Sequence, residues 1–260
     1  MINNLALITG ASSGIGLEFA HIHANKGGNL LLVARRRDRL EALAAELESK
    51  HKAQVHILPV DLAKEGAIQE LTEFIDENQL QVEVLINNAA FGGHGDFLDR
   101  ELHQDLNMIQ LNISALVELC HIFGNRMRAA GGGKILNVAS TAAFLPGPLQ
   151  ATYYATKAFV LSFSEALAEE LSGTGVSITT LCPGPTDSEF VQAADLDGVA
   201  GFKFMRVASS KEVAEYGYRA LQRGQVVAIE GWLNWVGAQS SRLTPRSILR
   251  KVSKQIMTKH

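Results

Sequence analysis

Seven short apolar runs of strand type punctuate this chain, at residues 5–9, 29–34, 54–59, 84–87, 133–140, 177–182 and 226–229, with helix-period segments between most of them. Alternation of that kind allows few folds. Strands that alternate with helices pair in parallel, because each return crossover needs a helix, and the helices then cover both faces of the sheet. Burial on both faces explains why Leu30-Leu31-Leu32-Val33 is apolar throughout instead of alternating. The expected fold is α/β, a doubly wound Rossmann-type sheet of seven mostly parallel strands with helices on both faces.

With 260 residues, 47% of them hydrophobic, and a formal charge of −3, the chain can bury a full core without staples. Neither a linker nor a repeat divides it, so residues 1–260 are expected to form a single domain. Residues 188–210 are mixed in polarity and weakly periodic, and follow the carboxyl end of an expected strand, where open α/β sheets bind ligands. They read as a substrate lid. The mostly apolar segment Phe190–Val207 within them, with Phe202, Phe204 and Met205, points to a hydrophobic substrate.

The two cysteines, Cys120 and Cys182, show no metal spacing and read as core residues of a protein from a reducing compartment. The amino terminus enters an apolar run directly, leaving no room for a cleavable leader. Nor does any apolar run approach the roughly 20 residues that cross a bilayer. A cytoplasmic protein is expected.

The first expected strand ends in Thr9-Gly10-Ala11-Ser12-Ser13-Gly14-Ile15-Gly16 and leads into helix-compatible Leu17-Glu18-Phe19-Ala20. Glycines at a strand-to-helix turn let the backbone approach a pyrophosphate, whose charge meets the amides at the helix start. Tight turns use the same residues for steric reasons alone, so the strand–loop–helix context carries the dinucleotide reading. At the end of the second strand, where an NAD enzyme usually has an acid, stand Ala34 and then Arg35-Arg36-Arg37, with Asp38 as the expected helix cap. Cations at a helix amino terminus oppose its dipole, and an anionic guest relieves that placement. The 2′-phosphate of NADP(H) is such a guest, with Arg35 its first expected partner and Arg36 its second; the alternative is a solvated basic turn.

Tyr153 and Lys157, four apart in Tyr-Tyr-Ala-Thr-Lys, share one helix face. An ammonium beside a phenol stabilises the phenolate and brings the phenol, ordinarily near about 10, toward the range where proton transfer is efficient. The same spacing also serves plain packing of a lysine stem over a ring. Ser140 closes the strand before them and could present its hydroxyl at the same carboxyl edge, or simply end the strand.

Taken together, these residues resemble the short-chain dehydrogenase/reductase family, in the branch with a Tyr-x-x-x-Lys active site, from Leu5 to about Ile229. The resemblance rests on the Thr-Gly-x-x-x-Gly-x-Gly loop, Asp61-Leu62, Asn87-Asn88-Ala89, Asn112, Ser140, Tyr153 with Lys157, and Pro183-Gly184, in that order. It implies an NADP(H)-dependent oxidoreductase acting between an alcohol and a carbonyl. Tyr153 would exchange the proton and Ser140 would orient the reacting oxygen. Lys157 would bind the nicotinamide ribose and tune Tyr153, and Asn112 would support a water-linked proton relay. The loop, including Gly10, Ser12, Ser13, Gly14, Ile15 and Gly16, would hold the pyrophosphate. Asp61 and Leu62 would meet the adenine, Asn88 and Ala89 the cofactor floor, and Thr186 with Ser188 the carboxamide beyond Pro183-Gly184. Ala90 stands where the family usually has glycine, a Cβ being disfavoured at positive φ, and Ser188 replaces the usual threonine.

The resemblance also implies a small-molecule substrate and a homodimer or homotetramer. An NADP-binding regulatory or scaffold protein without redox turnover is the competing class, and an epimerase or dehydratase that uses the cofactor transiently is another. Residues 242–260 form a basic amphipathic tail, with Arg242, Arg246, Arg250, Lys251, Lys254 and Lys259 among apolar residues and no acid. Such a tail closes the domain, meets a subunit or lies on a membrane surface. Trp232 and Trp235 read as a pocket wall or a subunit contact. His94, His103 and His121 are scattered, and neither a metal site nor a nucleic-acid footprint is expected.

Overall fold

The computed structural model describes residues 4–199 and 207–259. Its main sheet has seven parallel strands in the order β3-β2-β1-β4-β5-β6-β9. These are β1 (Leu5–Thr9), β2 (Asn29–Ala34), β3 (Val55–Pro59), β4 (Val82–Asn87), β5 (Gly133–Val138), β6 (Val176–Cys182) and β9 (Val227–Ile229). All seven expected runs are strands, with shifts of one or two residues at some ends. Two short strands had no apolar run to announce them, β7 (Thr186–Asp187) and β8 (Ala208–Ser209), which pair with each other.

Alternate residues of each strand enter two separate cores, which is why the runs are apolar at every position. Leu5, Leu7, Leu31, Val33, Leu85 and Ile135 face one. Ala6, Ile8, Leu30, Leu32, Ile86 and Leu136 face the other. The first core is covered by α3 (Ala67–Glu77), α5 (Leu116–Ala129) and α6 (Ala151–Glu170) through Leu71, Phe123 and Val160. The second is covered by α1 (Gly14–Asn25), α2 (Arg37–His51) and α8 (Ser210–Arg223) through Phe19, Leu47 and Leu221. Ser209 and Glu212 form a reciprocal capping box on α8, and Gly224 ends that helix at φ +64°.

The helix α2 starts at Arg37, so Asp38 is not its cap. It lies instead in the first turn, where a carboxylate complements the helix dipole. Between β4 and β5, α4 (Leu102–Ile109) runs into α5 through a π turn at Gln110–Ala115. By length and composition this 28-residue stretch, Leu102–Ala129, could cross a membrane. That corrects the expectation that no run is long and apolar enough. Its second half packs Leu119, Phe123 and Met127 into the core, as an internal helix of the sheet layer does.

The tail at residues 242–260 is not one helix. Thr244 and Pro245 separate α9 (Trp232–Leu243) from α10 (Arg246–Met257), because proline restricts the residue before it and donates no backbone hydrogen bond. In the lid region, α7 (Glu189–Ala193) is followed by Ala194, Leu196 and Val199, packed with Met257 of α10 in a third apolar cluster. Phe202, Phe204 and Met205 lie outside the described residues. Trp232 and Trp235 are exposed, which removes the pocket-wall reading and leaves the contact reading.

Candidate active site

Strand order reverses between β1 and β4, and at such a switch point the loops leaving neighbouring strands part to open a crevice. A cleft of about 470 Å³ opens there, lined by residues from the ends of β1 to β6 and by the lid and α10.

The loop after β1 is held from two sides. Gly10 N–H donates to the Val33 carbonyl at 2.8 Å. The Asn88 side chain, at the end of β4, donates to the Thr9 and Gly10 carbonyls at 3.0 and 3.2 Å. Thr9 Oγ1 accepts from the backbone amides of Asn88 and Ala89, each at 3.0 Å. Glycine is required at this approach: Gly10 has φ +67°, and a Cβ on it would come within 2.8 Å of Asn88 Nδ2. A Cβ on Gly16 would fall onto the Gly10 carbonyl. The cap residue Ser13 makes no side-chain bond to the α1 amides; its hydroxyl accepts instead from Arg36. The first turn of α1, with Ser13, Gly14 and Ile15 on the cleft wall, therefore keeps amides for an anion. The glycine cradle and the amide terminus fit a pyrophosphate.

Arg35 and Arg36 both line the cleft, but Arg36 makes the contacts. Its Nη2 donates to Ser12 Oγ at 3.0 Å and to Ser13 Oγ at 2.9 Å, and its Nη1 pairs with Glu189 of α7 at 2.7 Å. Arg39 also pairs with Glu189. Asp61 and Leu62 line the same end, Asp61 Oδ1 accepting from the Ala63 amide at 3.2 Å to close a turn. Ala90 lines the cleft and is not among the residues at positive φ, so its Cβ introduces no backbone strain.

At the other end Ser140, Tyr153 and Lys157 converge. Ser140 caps the short turn Thr141–Phe144, its Oγ accepting from Ala142 N–H at 3.1 Å. Tyr153 and Lys157 stand one turn apart on α6. Lys157 is buried, with Nζ donating to the Val138 carbonyl at 2.8 Å and lying 5.7 Å from the Tyr153 ring centroid. Burial pushes the Tyr153 phenol above its ordinary value, a hydrogen bond with Ser140 opposing and the neighbouring Tyr154 adding to the rise, which corrects the expectation that Lys157 brings it down toward neutrality. The same cause lowers the Lys157 ammonium to about 8, against a smaller opposing effect of Cys182. Pro183, Gly184, Thr186 and Ser188 form the adjoining wall, with Thr186 Oγ1 donating to the Gly184 carbonyl at 3.0 Å.

Two of the expected residues stay behind the surface. Gly16 and Asn112 are not on the cleft lining. Asn112 sits in the π turn, with Nδ2 donating to the Phe91 carbonyl at 3.0 Å and Thr156 Oγ1 at 3.1 Å, and Oδ1 accepting from Phe91 N–H at 3.2 Å. The side chain is thus committed to bracing residues next to Tyr153, whose own carbonyl accepts from Thr156 Oγ1 at 2.7 Å.

The substrate end holds Phe190, the first residue of the apolar lid segment, together with residues of α10 that local sequence did not assign to the site. Phe190 meets the Tyr153 ring at 5.3 Å between centroids, and Gly92 makes room for both, since a Cβ there would lie 2.8 Å from Phe190. From α10, Ile256 and Met257 join the wall. The helix is pinned by a His94 Nε2 bond to the Met257 carbonyl at 2.7 Å, a Tyr154 hydroxyl donating to Met257 Sδ at 3.3 Å and a Lys259–Asp195 pair at 2.7 Å. These contacts span up to 163 positions, beyond any local signal. Among the described residues no cluster of metal-ligating side chains occurs.

A dinucleotide crevice that ends on a tyrosine–lysine–serine group defines an oxidoreductase of the Rossmann class. The model for short chain dehydrogenases matches residues 4–197. Sulfoacetaldehyde reductase 2 of Chromohalobacter salexigens is 35% identical over 191 residues, 73% of this chain and 75% of that one. A short-chain dehydrogenase from Sphingobium yanoikuyae in complex with NADPH superposes with a TM-score of 0.82 at 32% identity, covering 92% of this chain and 93% of that chain. The bulky-bulky ketone specific alcohol dehydrogenase from Comamonas testosteroni does so with a TM-score of 0.78 at 28% identity, covering 99% and 96%. The chain belongs to the short-chain dehydrogenase family, oxidoreductases that act on alcohol and carbonyl groups with a nicotinamide cofactor.

Proposed function

We propose that this protein is an NADP(H)-dependent carbonyl reductase or alcohol dehydrogenase for hydrophobic substrates. The observation that carries the reading is the convergence of Ser140, Tyr153 and Lys157 on one end of a cleft whose other end presents Arg36 beside the glycine loop. A guanidinium on two hydroxyls of a phosphate loop supports recognition of a 2′-phosphate, with Arg35 close by, and a relative with NADPH bound supports the same choice. Phe91, Leu145, Phe190, Leu196, Ile256 and Met257 on the cleft wall support an apolar substrate.

The cofactor, when bound, supplies or takes up the hydride at the substrate carbon. The protein manages the oxygen and the proton. In reduction the Tyr153 hydroxyl, kept protonated by burial, gives its proton to the carbonyl oxygen as charge develops there, and Ser140 Oγ donates to the same oxygen. The Lys157 ammonium stabilises the phenolate left behind. Asn112 braces the Phe91 backbone and Thr156, and so holds Tyr153 in register. Asp61 and Leu62 would flank the adenine, Asn88 and Ala89 the cofactor floor, and Thr186 and Ser188 the carboxamide.

We read the chain as one domain with a substrate lid, of which Ser188, Phe190, Val191 and Leu196 line the cleft, and as a cytoplasmic protein whose buried Cys120 and Cys182 are free thiols. Exposed Leu102, Leu106, Ile109 and Phe159 support assembly as a homodimer or homotetramer. A carbonyl panel followed by NADPH oxidation tests the substrate class: bulky aryl and alicyclic ketones should outperform small polar ketones, and the reverse order would reject it.

A further inference from the structure

The helix α9 buries Ala238 and Ser241 toward the body of the protein. At 100° per residue, Trp232, Val236 and Leu243 fall on the opposite side, with exposed Trp235 and Leu233 on its two flanks. That ridge faces outward: Trp232 is 73% and Leu243 89% exposed. Across the break at Pro245, α10 adds exposed Ile248 and Val252. A helix whose apolar face points away from its own core is built for a partner.

Charge identifies the partner. None of the chain's 27 acidic residues lies beyond Glu230, whereas six of its 24 cations do, leaving +6 on residues 231–260 and −9 on the remainder. Lys259 is tied to Asp195; Arg242, Arg246, Arg250, Lys251 and Lys254 stand on the exposed surface of the two helices. An isologous contact between two copies of this face would set like charge against like charge. An anionic bilayer meets both features at once, because tryptophans settle at the headgroup level and cations are drawn to acidic lipids.

We propose that α9 and α10 form a docking surface for anionic membranes, on which the protein lies peripherally. The helix α10 turns Ile248 and Val252 outward and Ile256 and Met257 into the cleft, so docking sets the apolar end of the cleft beside the bilayer. That last consequence rests on the hydrophobic-substrate reading; the docking itself does not.

The chain's two tryptophans are both on this ridge, so its intrinsic fluorescence reports on the surface directly. The full-length protein is mixed with vesicles of phosphatidylcholine alone, and with vesicles that also contain phosphatidylglycerol. The expected result is a blue shift and co-sedimentation with the anionic vesicles, weakened by salt. Arg242→Gln with Arg246→Gln should weaken binding at least about tenfold, at roughly fivefold per cation, and Trp232→Ser with Trp235→Ser should abolish sedimentation. Both double variants should oxidise NADPH in solution as the parent does, which verifies their fold. Absence of sedimentation on anionic vesicles overturns the proposal. So does a tryptophan emission that is already blue without lipid and that tracks a concentration-dependent doubling of mass, which would make the ridge a contact between copies.

Discussion

Arg36 divides its guanidinium between the phosphate loop and the lid: one nitrogen bonds Ser12 and Ser13, and another pairs with Glu189 at 2.7 Å. Arg39 and Arg36 hold the Glu189 carboxyl down at about 2, so it is ionised throughout the working pH range. A carboxylate on Arg36 competes with any phosphate that Arg36 would bind. Glu189→Gln should therefore tighten NADPH about twofold to fivefold, the range of an exposed ion pair, and leave NADH unchanged. Fluorescence titration with both cofactors checks this; weaker NADPH binding in the variant would mean that Glu189 supports the site.

Removal of the guanidinium should act in the opposite direction. Arg36→Ala is expected to weaken NADPH about tenfold to a hundredfold, the worth of charge-assisted hydrogen bonds, with a smaller loss for Arg35→Ala. Equal losses for NADH and NADPH would show that Arg36 serves the loop's shape and not the 2′-phosphate.

Lys157 places the functional demand against stability. Burial lowers its ammonium to about 8, whereas in the unfolded chain it titrates near about 10.4. Between those values the unfolded state binds the extra proton, so stability rises with pH there. Below about pH 8 the buried charge costs the fold on the order of 3 kcal/mol. Lys157→Met should therefore raise Tm by several degrees, less what the orphaned Val138 carbonyl costs, while turnover disappears. A lower Tm would show that the ammonium is not penalised.

The same residue sets a pH limit on reduction. Tyr153 stays protonated across the neutral range because its phenol is pushed up, so the limb to watch belongs to Lys157. The kcat/KM for carbonyl reduction should be flat below about pH 8 and fall above it as the ammonium is lost. A profile that instead rises through pH 8 would remove the ammonium from the reduction step.

Asn112 separates a bracing role from a direct one. Asn112→Ala leaves the Phe91 N–H and C=O without their partner and takes one donor from the Thr156 hydroxyl, which keeps its bond to the Tyr153 carbonyl, a loss of about 2–3 kcal/mol. Thermal unfolding should show a Tm lower by about 5–10 °C, alongside reduced turnover. Unchanged Tm with turnover gone would favour a direct part in proton relay.

What the sequence disclosed and what it withheld follow from the range of the forces involved. Leu30-Leu31-Leu32-Val33 read as a buried strand because a two-sided core leaves no polar alternation. The glycine loop, Ser140, Tyr153 and Lys157 read as one site because strand ends and helix spacing place them at one edge. Which of three adjacent arginines turns onto Ser12 and Ser13 depends on where α2 begins, and Asp38 as a cap misplaced that start by two residues. Pro245 was a visible break inside the basic tail, and the amphipathic period of residues 242–260 hid it. The His94–Met257 bond and the Phe190–Tyr153 contact arise only once the chain has closed on itself. The π turn around Asn112 carries no local signal at all.

The central claim is that Tyr153 exchanges a proton in an NADP(H)-dependent hydride transfer, and the most direct test is NADPH oxidation by the parent and by Tyr153→Phe with a bulky ketone. Turnover with NADPH well above that with NADH, falling about a hundredfold to ten-thousandfold in the variant while NADPH still binds, is the predicted result. Undiminished turnover in Tyr153→Phe, or cofactor binding with no turnover on any carbonyl by the parent, would contradict it.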